Sequence, residues 1–437
     1  MTDPVCQAIE AYGSKTVPLR FKGAEIRLHL SHGLFSSYDI DTGTRLLLRV
    51  LSHYIDDATA HSLTLPRRLL DAGSGAGVIG IALGAYFLAQ GWEDFQIRAQ
   101  DRDELARQFT ACNSQLNGLQ APRLSAHTEA LLYDKGPYDW IISNIPAKAG
   151  IPVLEYFVRR SLAILAPQGK VFVVIVESLA EVFKNWILQY GAECIEETAG
   201  PAHRVFVYRR ASQGPLAEPG PQDEKTFSWA PYIRHRDTYT ILDIEYKLQS
   251  LHGVADFDSP HVLNQLMAAL SVKLQDRLFK ILHNTDQRAV LFFECDQGHF
   301  PLWFKSFLTH TSREISIKPV IAGRNILALE AARQNLLPGS ALELVPAIDP
   351  DLSSAKILNA GGGTFPLLFL FPEAVPKTDR WPAYWAGMDT LMTKNSIFCI
   401  GLTSTEADRF DKIKQRGFQR VGDIKRQGYR VLAYQKL

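Results

Sequence analysis

Short apolar runs recur along this chain, and stretches of helical period separate them. In the first half the runs are RRLLDAG, FQIRAQD, YDWIISN and KVFVVIV. Between them lie helix-like patterns from about Gly77 to Ala89, over ELARQFTACNSQL and over VLEYFVRRSLAIL. Parallel strands need crossover segments, so strand–helix alternation predicts an α/β fold: a mainly parallel sheet with helices on both faces. HRVFVYRR follows a helix and a turn and is expected to close the sheet as an antiparallel strand.

The pattern occurs twice. LSHGLFSSYDIDTGTRLLLRVL near Leu30 is echoed by SLHGVADFDSPHVLNQLMAAL near Ser250, with His32-Gly33 matching His252-Gly253 at an offset of 220. YGAECIEETAGPAHRVFVYRR is echoed by RGFQRVGDIKRQGYRVLAYQK, pairing Gly191 with Gly417 and Arg204 with Arg430 at an offset of 226. Between the halves, ASQGPLAEPGPQDEK is rich in proline and glycine and has no apolar period, which reads as a linker. The expected organisation is one domain over 1–210, a linker over 211–235 and a second copy over 236–437.

Composition narrows the class. With 437 residues, 46% apolar and 21% charged, the chain can bury ample core. A formal net charge of +1 argues against a broad nucleic-acid-binding surface and leaves room for a local basic patch. Five scattered cysteines without a C-x-x-C predict no zinc cage or disulfide framework and a reducing, cytoplasmic setting. The N-terminus lacks a basic-then-apolar leader pattern, and VFVVIV is too short to span a bilayer, so no membrane role is expected.

Chemistry concentrates at two turns of the first half. LLDAGSGAGVIG runs from strand into helix. Gly73, Gly75 and Gly77 allow a tight turn whose backbone N–H groups can approach a ligand. Gly75, Gly77 and Gly80 satisfy the dinucleotide pattern G-x-G-x-x-G, whereas Asp71 with Gly73, Gly75 and Gly77 gives D-x-G-x-G-x-G. A carboxylate at Asp71 suits a ligand cation and would repel a pyrophosphate. Asp101, ending the next strand, can accept both hydroxyls of a ribose; its plainer reading is a helix N-cap. In SNIPAKAG, the carbonyls of the Asn144 side chain and of the adjoining backbone at Ile145 can accept two N–H bonds from a substrate amine. Pro146 stiffens that turn. The plainer reading is a turn terminator.

HGLFSSYDIDTGTRLLL, LLDAGSGAGVIG, AQDRDELARQFTACNSQLNGL and YDWIISNIPAKAG, in this order, resemble the methyltransferase small-domain family. Its members include ribosomal RNA guanine-N2 methyltransferases. The resemblance covers about Leu30 to Val176, including the spacing from Asp101 to Asn117-Gly118. It implies two Rossmann-like class I methyltransferase domains and S-adenosylmethionine as cofactor. Asp71, Gly73, Gly75 and Gly77 would surround the cofactor's amino-acid part, Asp101 its ribose and Glu129 its adenine. Phe35, Ser36 and Thr44 would cover it. Asn144, Ile145 and Pro146 would grip the acceptor nitrogen, with RNA as the implied partner. One departure concerns the acceptor. Where such enzymes place a stacking aromatic after the proline, this chain has Ala147 and Lys148. Phe35, Tyr38 or Tyr156 is then expected to supply the ring, and Lys148 to reach a substrate phosphate or carboxylate at the rim.

The second half keeps the apolar framework without the chemistry. LFFECDQGHFPLW retains only Gly298, Gly323 stands where Asp101 stood, and KILNAGGGTFPLL aligns Asn359 with Asn144 and Gly361 with the proline. NAGGG as an anion loop lacks a P-loop lysine. Lys412, Lys414, Arg416, Arg420, Lys425, Arg426 and Arg430, interleaved with Phe418 and Tyr429, form a candidate RNA-contact face. Two alternatives stay open. One is a methyltransferase for a small amine or a protein amide, and the other a non-catalytic nucleotide-binding or scaffolding protein.

Overall fold

The computed structural model describes residues 7–35, 38–61, 64–211, 226–285, 288–311, 315–336, 342 and 344–437. Ser36 and the proline-rich stretch 212–225 lie outside the described residues. The chain divides into unit 1, Met1–Tyr232, and unit 2, Ile233–Leu437.

Unit 1 opens with α1 (Gln7–Tyr12) and a hairpin of β1 (Gly13–Phe21) and β2 (Ala24–Ser31), followed by α2 (Thr42–Ala60). Strands and helices then alternate: β3 (Arg68–Ala72), α3 (Val78–Ala89), β4 (Gln96–Asp101), α4 (Glu104–Leu116), β5 (Leu124–Thr128), β6 (Tyr138–Asn144), α5 (Ile151–Ile164) and β7 (Leu165–Val176). The unit closes with α6 (Ala180–Gln189), β8 (Ala192–Ala199) and β9 (His203–Arg210). The seven-stranded sheet has the order β5-β4-β3-β6-β7-β9-β8. β3 to β7 pair in parallel, and β9 runs antiparallel between β7 and β8. Leu69 to Ala72 of β3 are all buried, as a central strand covered on both faces requires. β8, at the edge, is buried only at Ala192 and then alternates exposed with half-buried positions, with Glu193 and Glu197 exposed.

Two asparagines one helical turn apart fasten the hairpin to the sheet layer. Asn113 Nδ2 donates to the carbonyls of His29 and Ala76 while its Oδ1 accepts from His29 N. Asn117 brackets Arg27 in the same way. Asn113 is fully buried, so each of these bonds is made where an unmade one would cost about 1–3 kcal/mol.

Unit 2 comprises β10 (Ile233–Ile241), β11 (Ile244–Leu251), α7 (Val262–Lys273), α8 (Gln275–His283), β12 (Ala289–Phe293), α9 (His299–Thr311), β13 (Lys318–Gly323), α10 (Ile326–Leu336) and β14 (Leu344–Pro346). It continues with α11 (Ser354–Gly361), β15 (Phe365–Leu370), α12 (Trp381–Leu391), β16 (Met392–Thr403), α13 (Ser404–Lys412), β17 (Phe418–Arg426) and β18 (Tyr429–Lys436). Its sheet order, β14-β13-β12-β15-β16-β18-β17, repeats that of unit 1 position by position. The register repeats too. The hairpin irregularity at Gly13/Lys15 recurs at Ile233/His235, and the bulge at Cys194/Glu196 recurs at Arg420/Gly422.

One alignment from the sequence is corrected. KILN is not a strand. It lies in α11, and the strand beside β12 is Phe365–Leu370. Asn359 therefore precedes the strand, and Phe371 is the residue that leaves its carboxyl end, as Asn144 leaves β6.

Candidate active site

The carboxyl ends of β3, β4 and β6 meet at one edge of the unit 1 sheet, where ligands bind in open α/β folds. The turn after β3 is left-handed at Gly73 (φ 79°), Gly75 (φ 56°) and Gly77 (φ 84°), conformations that glycine alone adopts without strain. Gly73 N donates to Gln100 O at 2.8 Å, and Gly77 N donates to Ser74 O at 2.8 Å. A side chain at Gly75 would meet nothing within 4 Å, so the turn presents bare backbone to an open side. One at Gly73 would point between Leu131, at 3.8 Å, and the Asn144 carbonyl oxygen, at 4.0 Å. The glycine turn and the asparagine–proline turn thus border one crevice.

Local bonds fix this proximity. Ser143 Oγ donates to Ala72 O at 2.7 Å, joining the ends of β6 and β3. Ile145 N donates to Val174 O at 3.1 Å, carrying the β6–β7 pairing past the strand. Pro146 then turns the chain, and its carbonyl accepts from Ala149 N at 2.9 Å. The Ile145 side chain is buried, whereas Pro146, Ala147 and Lys148 are exposed. Across the crevice, fully buried Arg160 of α5 donates to Leu132 O and Asp134 O and so holds the loop that carries Leu131.

The acids occupy different depths. Asp71 is 1% exposed and lies beneath the turn, where its Oδ2 accepts from Gly80 N at 2.9 Å and its Oδ1 has no partner. Burial raises its carboxyl to about 7, Asp101 adds to the rise, and the Gly80 N–H opposes it. A Cβ at Gly80 would stand 3.0 Å from Asp71 Oδ2, so that glycine serves close helix–strand packing. Asp101 accepts from Gly75 N at 2.9 Å and from Asp103 N at 3.0 Å. Burial raises its carboxyl, and these two N–H groups restrain the rise. The cap of α4 is Asp103, which accepts from Leu105 N, so the plainer reading of Asp101 as an N-cap is set aside. Glu129 follows at the end of β5, its N–H donating to Asp101 O at 2.8 Å. One of its oxygens pairs with Arg98 and the other is buried without a partner. Burial raises this carboxyl against the pull of Arg98.

Asn144 is held by residues far back in the chain. Its Nδ2 donates to Thr44 Oγ1 at 2.9 Å and lies 3.2–3.3 Å from both Asp41 oxygens. Asp41 was not singled out from sequence, and the signal that could have found it is its place as N-cap of α2. Thr44 is 6% exposed, whereas Phe35 and Tyr38, on the segment leading into α2, are 75% and 61% exposed. Tyr156 is not available to stack on a substrate: it is 4% exposed, and its hydroxyl accepts from Ser228 N at 2.9 Å. Among the described residues no cluster of three or more metal-ligating side chains occurs, and no helix is long and apolar enough to cross a membrane.

The same edge of unit 2 keeps the turn and changes its residues. Glu294 (φ 54°), Asp296 (φ 46°) and Gly298 (φ 86°) take the left-handed positions, and Glu294 N donates to Ala322 O at 2.8 Å as Gly73 N does to Gln100 O. Gly323 ends β13 where Asp101 ends β4. Side chains at the first two positions replace bare backbone. Burial and the neighbouring Asp256, Glu373 and Glu294 push the Asp296 carboxyl well above the usual range. In the candidate RNA face, Arg420 pairs with Asp411 and Arg430 with Asp408 and Asp423, while Lys425 and Arg426 stay exposed.

Strand order, a left-handed glycine turn and an acid at the end of the next strand together match the class I methyltransferase fold. Residues 25–188 match the family described as Methyltransferase small domain. A 159-residue stretch is 30% identical to Ribosomal RNA small subunit methyltransferase C of Chromohalobacter salexigens, covering 36% of this chain and 43% of that protein. A 164-residue stretch is 27% identical to the protein of the same name from Photobacterium profundum, covering 37% of this chain and 43% of that one. The chain thus matches less than half the length of these relatives. A T. thermophilus 16S rRNA methyltransferase, solved in complex with AdoMet and guanosine, superposes with a TM-score of 0.59 at 17% identity, covering 98% of this chain and 99% of that one.

Proposed function

We propose that unit 1 is an S-adenosylmethionine-dependent methyltransferase that N-methylates an exocyclic amine of RNA, with guanine N2 of ribosomal RNA as the lead. The observation that carries the reading is the shared crevice: a bare, left-handed glycine turn where a Cβ added at Gly73 would stand 4.0 Å from the carbonyl oxygen that opens the Asn144–Ile145–Pro146 turn. The residues present fit the cofactor. Gly73, Gly75 and Gly77 give its amino-acid end an uncovered backbone, with Asp71 beneath them. Asp101, already accepting two N–H bonds, has lone pairs left for ribose hydroxyls. Glu129 has an unpartnered buried oxygen for an adenine amine. Phe35 and Thr44 would close over it.

When bound, the cofactor supplies a methyl group on a sulfonium, open to in-line displacement by a nitrogen lone pair. The chain's part is positioning. Asn144 Oδ1 and a backbone carbonyl at Asn144–Ile145 accept the two N–H groups of the amine and aim its lone pair into the crevice. Pro146 keeps that turn rigid. No general base is needed before attack, because the proton leaves once the nitrogen carries a fourth bond.

The relatives' names support an RNA acceptor, as do exposed Phe35 and Tyr38, which can stack on a base where Ala147 cannot. Lys148 is open to solvent at the rim and suits a phosphate. A small amine or protein amide is the second reading, favoured by Ala147 and by the ion pairs that neutralise Arg420 and Arg430. A cytoplasmic setting belongs to the same proposal, supported by the four cysteines among the described residues, Cys112, Cys194, Cys295 and Cys399, none of which is in a disulfide. Labelled methyl transfer from S-adenosylmethionine to separated RNA, protein and metabolite pools tests it. Label in ribosomal RNA that digests to N2-methylguanosine is expected, and label confined to protein or metabolites would overturn the RNA assignment.

A further inference from the structure

We propose that Asp41 is a positioning residue: it holds the Asn144 amide with its NH2 turned inward and its carbonyl oxygen turned toward the acceptor amine. This rests on the methyltransferase reading above. Asp41 precedes Asn144 by 103 residues and caps α2, its Oδ1 accepting from Gly43 N at 2.8 Å and Thr44 N at 3.1 Å. Thr44 Oγ1 donates to Asp41 Oδ2 at 2.5 Å and accepts from Asn144 Nδ2 at 2.9 Å. Asn144 Nδ2 also lies 3.3 Å from Asp41 Oδ1 and 3.2 Å from Oδ2. A Cβ at Gly43 would come within 3.0 Å of Asp41 Oδ1 and 3.1 Å of the His203 ring, so the cap is closely fitted.

The direction of this chain is fixed by chemistry. An ionised carboxylate accepts and cannot donate, so it selects the NH2 end of the amide. The threonine hydroxyl has spent its one proton on the carboxylate and can only accept from Asn144. An amide with these two partners has one favoured orientation. In the flipped orientation, Asn144 would turn donors toward the donors of the acceptor amine. The charge-assisted contact also polarises the amide and makes Oδ1 a better acceptor. Cap and catalytic amide are thereby joined through one side chain.

Capping alone would make Asp41 merely structural, and Asp41→Ser separates the two roles. Serine caps a helix about as well as aspartate but has one oxygen, which the helix N–H groups occupy. The expected result is a melting temperature close to wild type, cofactor affinity and KM nearly unchanged, and kcat lowered tenfold or more. In an Asn144→Ala background the same Asp41→Ser change should leave kcat where Asn144→Ala set it. A second readout needs no turnover: with selectively labelled asparagine, the Asn144 side-chain amide protons should exchange slowly in wild type and rapidly in Asp41→Ser. Wild-type kcat in Asp41→Ser, an equal loss in both backgrounds, or unchanged amide exchange would each overturn the proposal while leaving the methyltransferase reading intact. Failure of that reading looks different: the wild-type chain would neither bind S-adenosylmethionine nor transfer its methyl group, and the proposal would fall with it; wild-type turnover in Asn144→Ala would instead take Asn144 out of the mechanism and overturn the proposal alone.

Discussion

Replacing Asp71 by Asn removes an ionisable group from the base of the glycine turn and keeps its shape. The Asn carbonyl can still accept from Gly80 N, the bond that Asp71 Oδ2 makes at 2.9 Å. What disappears is a carboxyl whose value rises from 3.8 to about 7 on folding, mainly through burial. A raised acid binds its proton more tightly in the folded state, so its contribution to stability falls as pH rises between these two values. Below pH 4 the group is neutral in both states and adds no penalty. Above pH 7 the full penalty applies. At about 1.4 kcal/mol per unit, the shift amounts to roughly 4 kcal/mol, an upper figure because a charged Asp71 can draw in water or move. Urea unfolding of wild type and Asp71→Asn at intervals from pH 4.5 to 8, without cofactor, reads the difference between the variants, since titrations remote from Asp71 cancel and only its neighbour Asp101 responds to the change. The gap should move in favour of the Asn variant by about 2–4 kcal/mol across that range. Parallel curves would show that Asp71 ionises freely, and the account of it as an enclosed acid beneath the turn would be wrong.

Asn144→Ala should lower turnover by about 10²–10³ with cofactor affinity nearly unchanged, measured by initial rates and calorimetry. Asp101→Ala should weaken S-adenosylmethionine binding by roughly 1.5–3 kcal/mol, the scale of a hydrogen bond to a charged group, again by calorimetry. Gly80→Ala should cost about 1–3 kcal/mol in urea unfolding, because its methyl would press on Asp71 and Ile97. Ala147→Phe should preserve or raise activity on a planar nucleobase and obstruct a bulkier acceptor, in rate assays on RNA against small amines.

How far the sequence disclosed this depends on the length scale of the interactions. Helix α4 and strands β6 and β9 lie where the apolar period put them, because each carries a complete local pattern. The glycine turn was legible for the same reason: its spacing encodes three left-handed residues in succession. The second half misled where local signals conflict. KILN is a short apolar run that strand and helix share, while the true strand FPLLFL carries Pro366 in its interior. Only the sheet pairing to β12 settles which is which. The link from Asp41 to Asn144 was out of reach, since the two are 103 residues apart and no periodic signal joins them, although the cap itself was a local signal. Tyr156 looked like an available ring, but Phe227 and Ser228 cover it from a segment more than 70 residues on. In unit 2, loss of glycines suggested loss of the turn. The backbone instead kept the left-handed path at Glu294 and Asp296 and lost the bare surface.

That last difference sets the most direct test of the account, which holds that one crevice per chain binds S-adenosylmethionine. Calorimetric titration of the full chain should give one site for S-adenosylmethionine and no heat of binding for NAD. Two sites would show that unit 2 retains a working crevice despite Glu294 and Asp296. Binding of NAD with no response to S-adenosylmethionine would contradict the central claim outright.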